Sequence, residues 1–184
     1  MIDITDSTAA SLREQQILQA LARYPVLNVS LFASLKRMTG RYFKEALIDL
    51  KKKDSIRSID PIKGSNHAER FYLSHYEDLL HPFLNQKDPD LLKYSYLQSK
   101  LTNTDDYNLA MKIITGLYRF PILSLTILPQ AISFNQRPTV REILTFLLNE
   151  GVLSEKTPSL GSNTAHRLYL TEFDQKLSPF LQQK

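Results

Sequence analysis

The chain contains no cysteine. A disulfide framework, a cysteine zinc site, a cysteine-ligated iron–sulfur centre and a thiol nucleophile are therefore excluded. Glycine is scarce, at 5 of 184 residues, which leaves little for a glycine-rich phosphate cradle. No apolar run approaches the ~18 residues of a membrane-spanning helix. Met1–Ala10 carries Asp3 and Asp6 and no basic side chain, the wrong charge for a secretory signal. A cytoplasmic protein is expected, and the lack of cysteine fits a reducing compartment. What is present is ordinary: 42% hydrophobic and 23% charged residues, enough to bury a core. The length allows one large domain or two small ones. A net charge of +4 admits nucleic acid as a partner without requiring it.

The sequence repeats itself. Ile17–Leu27 aligns with Ile113–Leu123 at an offset of 96, with Ile, Leu, Arg, Pro and Leu recurring in place. From about Phe43 the offset is 97, so the second copy holds one extra residue near Asn135. Gly64–Leu73 matches Gly161–Leu170 at seven of ten positions, and the copies end alike in Pro82–Leu84 and Pro179–Leu181. Three matches in one order at a nearly constant offset mark a duplication. The expected units are residues 11–84, a linker helix within 85–106, and residues 107–184. Leu91, Leu92, Tyr94, Tyr96, Leu97 and Leu101 give the linker an apolar side, best read as core.

Each copy opens on a helical stripe, Ile17, Leu18, Leu21 and Tyr24 in the first. Pro25 ends it, because the residue before a proline is pushed out of the helical region. Asn28 or Ser30 can cap a second helix carrying Leu31, Leu35 and Met38. A turn at Thr39–Gly40 leads into a third, with Phe43, Ala46 or Leu47, and Leu50 inward. Its counterpart buries Val140, Ile143, Leu144 and Leu147, with Pro138 suited to a first helical turn. The period then changes. Ser55–Asp60 and Ala68–Ser74 form an expected hairpin, with Phe71 and Leu73 on one face and Arg70 and Tyr72 on the other. Val152–Lys156 and Ala165–Thr171 repeat it. A last helix follows from Tyr76 and from Phe173. The expected class is α+β, mainly α: two tandem winged helix-turn-helix domains joined by a linker helix.

Glu150–Ser154 followed by Gly161–Thr171 resembles the end of helix three, the strand, the wing and the Arg-x-Tyr-x-Leu-Thr return strand of bacterial regulators of the MarR and PadR type. Asp54 departs from the pattern where the second copy has Gly151. The tandem arrangement is also similar to plasmid replication and conjugation accessory proteins and to chromosome-partition scaffolds. The resemblance implies a third helix in the major groove and a wing on phosphate or in the minor groove.

Duplex binding needs cations there. Lys36 to Arg70 holds ten bases against five acids, so the rest of the chain sums to a small negative charge. In the first copy Arg37, Thr39, Arg41 and Lys44 fall in the turn and at the start of the third helix. Arg41 would fork onto guanine or phosphate, and Tyr42 would touch a phosphate or a thymine methyl. Lys51–Lys53 reads equally as a dipole-favoured helix end. Lys63, Ser65 and Asn66 would form a wing tip, and Arg70 a phosphate contact beside it. The second copy offers Asn135 and Gln136 as base readers or turn residues, then Arg137, Thr139, Arg141, Ser162, Asn163 and Arg167, with fewer cations. Arg41 is therefore expected to matter more than Arg141.

His67, His75, His81 and His166 show no metal-ligand spacing. Neither a nucleophile elbow, a P-loop nor a dinucleotide fingerprint occurs. No metal, cofactor or enzymatic activity is expected. The primary expectation is a double-stranded DNA-binding protein, a monomeric pseudo-dimer or a homodimer, regulating transcription or serving a mobile element. The rival is a tandem winged-helix scaffold, with a protein partner on the second unit. Its sign would be exposure of the apolar segments Phe120–Leu128 and Tyr24–Phe32.

Overall fold

The computed structural model describes residues 4–61, 68–84, 89–101, 103–134, 137–157 and 166–182, excluding the side chains of 4–11, 137 and 138. The chain is mainly helical, with two small antiparallel sheets of three strands each. The first half runs α1 (Ile4–Arg23), β1 (Leu27–Asn28), α2 (Val29–Lys36), α3 (Arg41–Lys52), β2 (Ile56–Ile59), β3 (Arg70–Leu73) and, after a 3-10 turn at Ser74–Tyr76, α4 (Glu77–Leu84). A 3-10 turn at Leu92–Tyr94 and the short α5 (Leu97–Lys100) follow. The second half repeats the order: α6 (Thr104–Arg119), β4 (Leu123–Ser124), α7 (Leu128–Ala131), α8 (Arg137–Asn149), β5 (Leu153–Lys156), β6 (Arg167–Leu170), a 3-10 turn at Thr171–Phe173 and α9 (Asp174–Leu181).

Local chemistry sets these boundaries. Pro25 and Pro121 follow the last turns of α1 and α6. Asn28 caps α2, its side chain accepting from Leu31 N–H at 2.9 Å. Asn103 caps α6 through Asp105 N–H at 2.8 Å, and Asp105 and Asp106 suit the positive end of the helix dipole. Arg37 ends α2 in the left-handed region at φ 54°, and Ser133 follows α7 at φ 52°. Asp54 after α3 and Gly151 after α8 likewise stand at φ 52° and 71°. The repeat is thus kept in the backbone even where glycine is not. Gly40 is required for another reason: a Cβ there would meet Val29 Cγ1 at 2.8 Å, so α3 could not start so close to α2.

In each half the return strand is central. The orders are β1-β3-β2 and β4-β6-β5, with Leu27 opposite Phe71, Ile56 opposite Leu73, Leu123 opposite Leu168 and Leu153 opposite Leu170. The two outer strands β1 and β4 were not expected; two residues are too few to show a period. All four residues of β3 and of β6 are buried, so the alternation between an inner and an outer face fails. The second face is covered by the last helix of the same half, through Arg70 and Tyr72 on α4 and Arg167 and Tyr169 on α9, with Arg70 also reaching the Arg119 carbonyl of the other half.

The halves meet reciprocally. Tyr76 packs on Phe180 with ring centroids 4.5 Å apart, and Phe83 on Phe173 at 4.6 Å. Tyr76 and Phe173 are counterparts under the 97-residue offset, as are Phe83 and Phe180. Likewise α1 packs on α9, and its counterpart α6 packs on α4. Contacts of the form i to j and j to i define a two-fold relation. Ser34 hydrogen-bonds Gln130, its own counterpart 96 residues on, which marks the local axis.

Two expectations fail here for physical reasons. Leu91–Leu101 is not one helix, because Leu92 stays 78% exposed while Tyr94 and Leu97 turn inward. That pattern suits a 3-10 turn followed by one helical turn on α6. Met38 is not in the helix stripe: it lies beyond the left-handed Arg37 and is 42% exposed.

Candidate nucleic-acid interface

The site is built on α2, its following turn, and α3. Phe43, Ala46, Leu47 and Leu50 face the core, which leaves Arg41, Lys44, Glu45 and Ile48 outward at the 3–4-residue spacing of one helix face. Ile48 is 53% exposed. Arg37 and Thr39 are exposed on the turn, and Lys36 is half-buried at the end of α2. The first half therefore presents Lys36, Arg37, Arg41 and Lys44 together.

Pairing separates these cations from those at the end of α3 and on β2. Lys51 bonds Glu69 at 2.8 Å, Lys52 bonds Asp49 at 3.2 Å and Lys53 bonds Glu14 at 2.7 Å. Arg57 is held by Asp54 at 3.1 Å and by Glu77. Hydrogen bonding and the charge of Arg57 hold the Asp54 carboxyl below its ordinary range. The lysine triplet thus reads as a neutralised helix end. By contrast, Lys36, Arg37, Arg41 and Lys44 make no ion pair to a described residue. Glu45 reaches only a long contact to Arg13, at 3.9 Å.

Tyr42 is committed elsewhere. Its ring stands edge-on to Phe43 at 5.0 Å, and the Arg13 guanidinium lies over it at 4.6 Å. This stack fixes α1 to α3 and occupies the face expected to meet a phosphate or a thymine methyl.

Arg70 and Arg167 require a correction. Both are only 5% exposed. Arg70 donates to the carbonyls of Phe83 at 3.0 Å and of Arg119, in the other half, at 2.9 Å. Arg167 donates to the carbonyls of Phe180 at 2.8 Å and Leu181 at 3.0 Å. Burial pushes Arg70 down to about 10, aided by the charge of Arg119. Arg167 is lowered by burial and by Arg23, the counterpart of Arg119. These arginines fasten the C-terminal helix ends and the seam, and they are not available to phosphate. The duplicated arginine of the Arg-x-Tyr-Leu pattern is explained by this role.

In the second half Arg141, Glu142 and Thr145 form the outward face of α8, aligned with Lys44, Glu45 and Ile48. Thr139 is half-buried, and Arg137 opens the helix. Lys36 and Arg37 are replaced by the buried Ile132 and by Ser133. Lys63, Ser65, Asn66, Asn135, Gln136, Ser162 and Asn163, and the side chain of Arg137, lie outside what the structure describes. Sequence reasoning passed over Glu45, Ile48, Glu142 and Thr145. Steps of three or four residues, Arg41 to Glu45 to Ile48 and Arg141 or Glu142 to Thr145, are the signal that places them on one face.

A cleft of about 760 Å³ lies at the seam. Asn28, Lys112, Arg119 and Gln130 line it, with no acidic side chain among the described residues. Among the described residues no three metal-donating side chains gather, and no helix is long and apolar enough to cross a membrane. The chain matches no protein-family model, and no curated protein is significantly similar to it in sequence.

Proposed function

We propose that this chain is a double-stranded DNA-binding protein made of two fused winged helix-turn-helix units, a covalent pseudo-dimer. The single observation that carries the reading is the segregation of charge. Among the described residues of the first half, Lys36, Arg37, Arg41 and Lys44 make no ion pair and cluster on the turn and first face of the helix that would enter the groove. The described cations from Lys51 to Arg70 are paired with acids or buried, whereas Arg23, Lys112, Lys156 and Lys176 stand singly elsewhere without an ion pair to a described residue. The element order and a paired hairpin behind the third helix support the same reading. A regulator of transcription is the first role, and a replication or conjugation accessory of a mobile element the second.

The scaffold alternative depended on exposed apolar segments. Phe120, Pro121, Ile122, Leu123, Ile127 and Leu128 are buried, as are Tyr24–Leu27, Leu31 and Phe32. Only Leu125 of the apolar residues from 120 to 128 is exposed, at 42%. That removes the observation which favoured a protein partner.

The test is fluorescence anisotropy with random-sequence duplex over a salt series. The expected result is an affinity of about 10⁻⁴ to 10⁻⁶ M near physiological salt that falls steeply as salt rises. No binding at low salt defeats the proposal.

A further inference from the structure

The two candidate reading helices are related by a two-fold rotation and not by a translation along the chain. Tandem units could equally have stacked head to tail, which would make the half-sites a direct repeat. Two independent sets of contacts exclude that packing. The ring pairs Tyr76–Phe180 and Phe83–Phe173 exchange counterpart residues. The pairs α1–α9 and α6–α4 exchange counterpart helices. A translated pair would show one member of each exchange and lack the other.

The place of the axis bounds the spacing. Ser34 meets its counterpart Gln130, so α2 and α7 flank the axis. Arg41 lies seven residues beyond Ser34, and Arg137 seven beyond Gln130. Seven residues span at most ~25 Å. With the Ser34–Gln130 side-chain contact between the two arms, the starts of α3 and α8 lie at most ~60 Å apart, a bound that admits the ~34 Å between successive major grooves on one side of a duplex.

We infer that one chain reads an inverted repeat whose two arms lie about one helical turn apart and bind unequally, the stronger arm under α3 and the weaker under α8. The inference rests on the DNA-binding proposal above. Inequality follows from the outward faces. The α3 side has Lys36, Arg37, Arg41 and Lys44, whereas the α8 side has Ile132 and Ser133 at the first two positions.

The experiment is selection of the full chain on a random duplex library, followed by anisotropy and native mass spectrometry on the enriched duplex. Three duplexes are compared: the enriched site, the same arms as a direct repeat, and a single arm. The expected result is an inverted pair with centres about 10 bp apart, bound one chain per duplex and losing at least tenfold in affinity as a direct repeat. Scrambling one arm should then weaken wild type further but barely affect Arg41→Ala, which identifies the arm under α3. Enrichment of a direct repeat, or one chain bound per arm, overturns the inference and leaves DNA binding standing. Failure to bind any duplex at low salt overturns both.

Discussion

At the seam, Tyr76 of the first half lies on Phe180 of the second, and Phe83 lies on Phe173. Each half offers the other the same chemistry. On the outward face the halves part company. Lys36 and Arg37 stand where the second half has Ile132 and Ser133, and Ile48 stands where it has Thr145. After a duplication, a residue that packs against its sister copy is constrained by two environments at once. A residue that faces solvent is constrained only by what it binds. The difference between the halves therefore points to the outward face as the place where their tasks differ.

The largest expected effect is on the shared part. Arg70→Met leaves the buried carbonyls of Phe83 and Arg119 without their donor. A loss of about 2–4 kcal/mol is expected in urea unfolding. A loss under about 0.5 kcal/mol, typical of a surface site, would mean that the seam is not held this way.

The next tests the divergent part. Arg41→Ala should weaken duplex binding by about tenfold, within the ~1–3 kcal/mol expected of a base-reading arginine. Arg141→Ala should cost less. Lys51→Ala and Lys53→Ala should cost least, because Glu69 and Glu14 already neutralise those charges. Equal losses from Arg41→Ala and Arg141→Ala in anisotropy would erase the proposed inequality.

A third test concerns the linker, which breaks the symmetry by lying on one half. Glu172 accepts from Tyr94 and Tyr118, both at 2.6 Å, and pairs with Lys93. Burial alone works against its charge, but hydrogen bonds from Lys93, Tyr118 and Tyr94 outweigh it and hold the carboxyl below 4.5. A lowered carboxyl adds stability that is fully present above that pH and is lost as the pH falls through the lowered value. Glu172→Gln should therefore cost about 1 kcal/mol at pH 7 and progressively less as the solution is acidified. Its counterpart His75 is exposed, and His75→Gln should change nothing. Urea unfolding at several pH values separates the two, and a pH-independent loss from Glu172→Gln would refute the account.

The smallest effect compares the turns. Ser133 holds φ 52° where a side chain is strained. Ser133→Gly should raise stability by about 1 kcal/mol, measurable as a higher Tm. A lower Tm would show that the left-handed turn is absent in solution.

The duplication, the order of elements, the hairpins and the inward face of α3 were legible in the sequence. Proline stops, Asn28 and Asn103 caps and the 3–4-residue spacing of Phe43, Ala46, Leu47 and Leu50 all act within a few residues of themselves. Arg41 and Lys44 were legible for the same reason, since a helix turns its sequence outward on a fixed period. Arg70 and Arg167 were not. An arginine on a return strand looks the same whether its far end meets solvent or a carbonyl 13 residues on and another half-molecule away. Nor could sequence show that Lys51–Lys53 finds acids as distant as Glu14, since charge counted along a chain ignores what folds back upon it. Local chemistry determined what each half is. The tertiary structure alone decided that the halves face each other across a two-fold axis, and which cations that packing leaves without acids, because burial and pairing join residues that share no sequence neighbourhood.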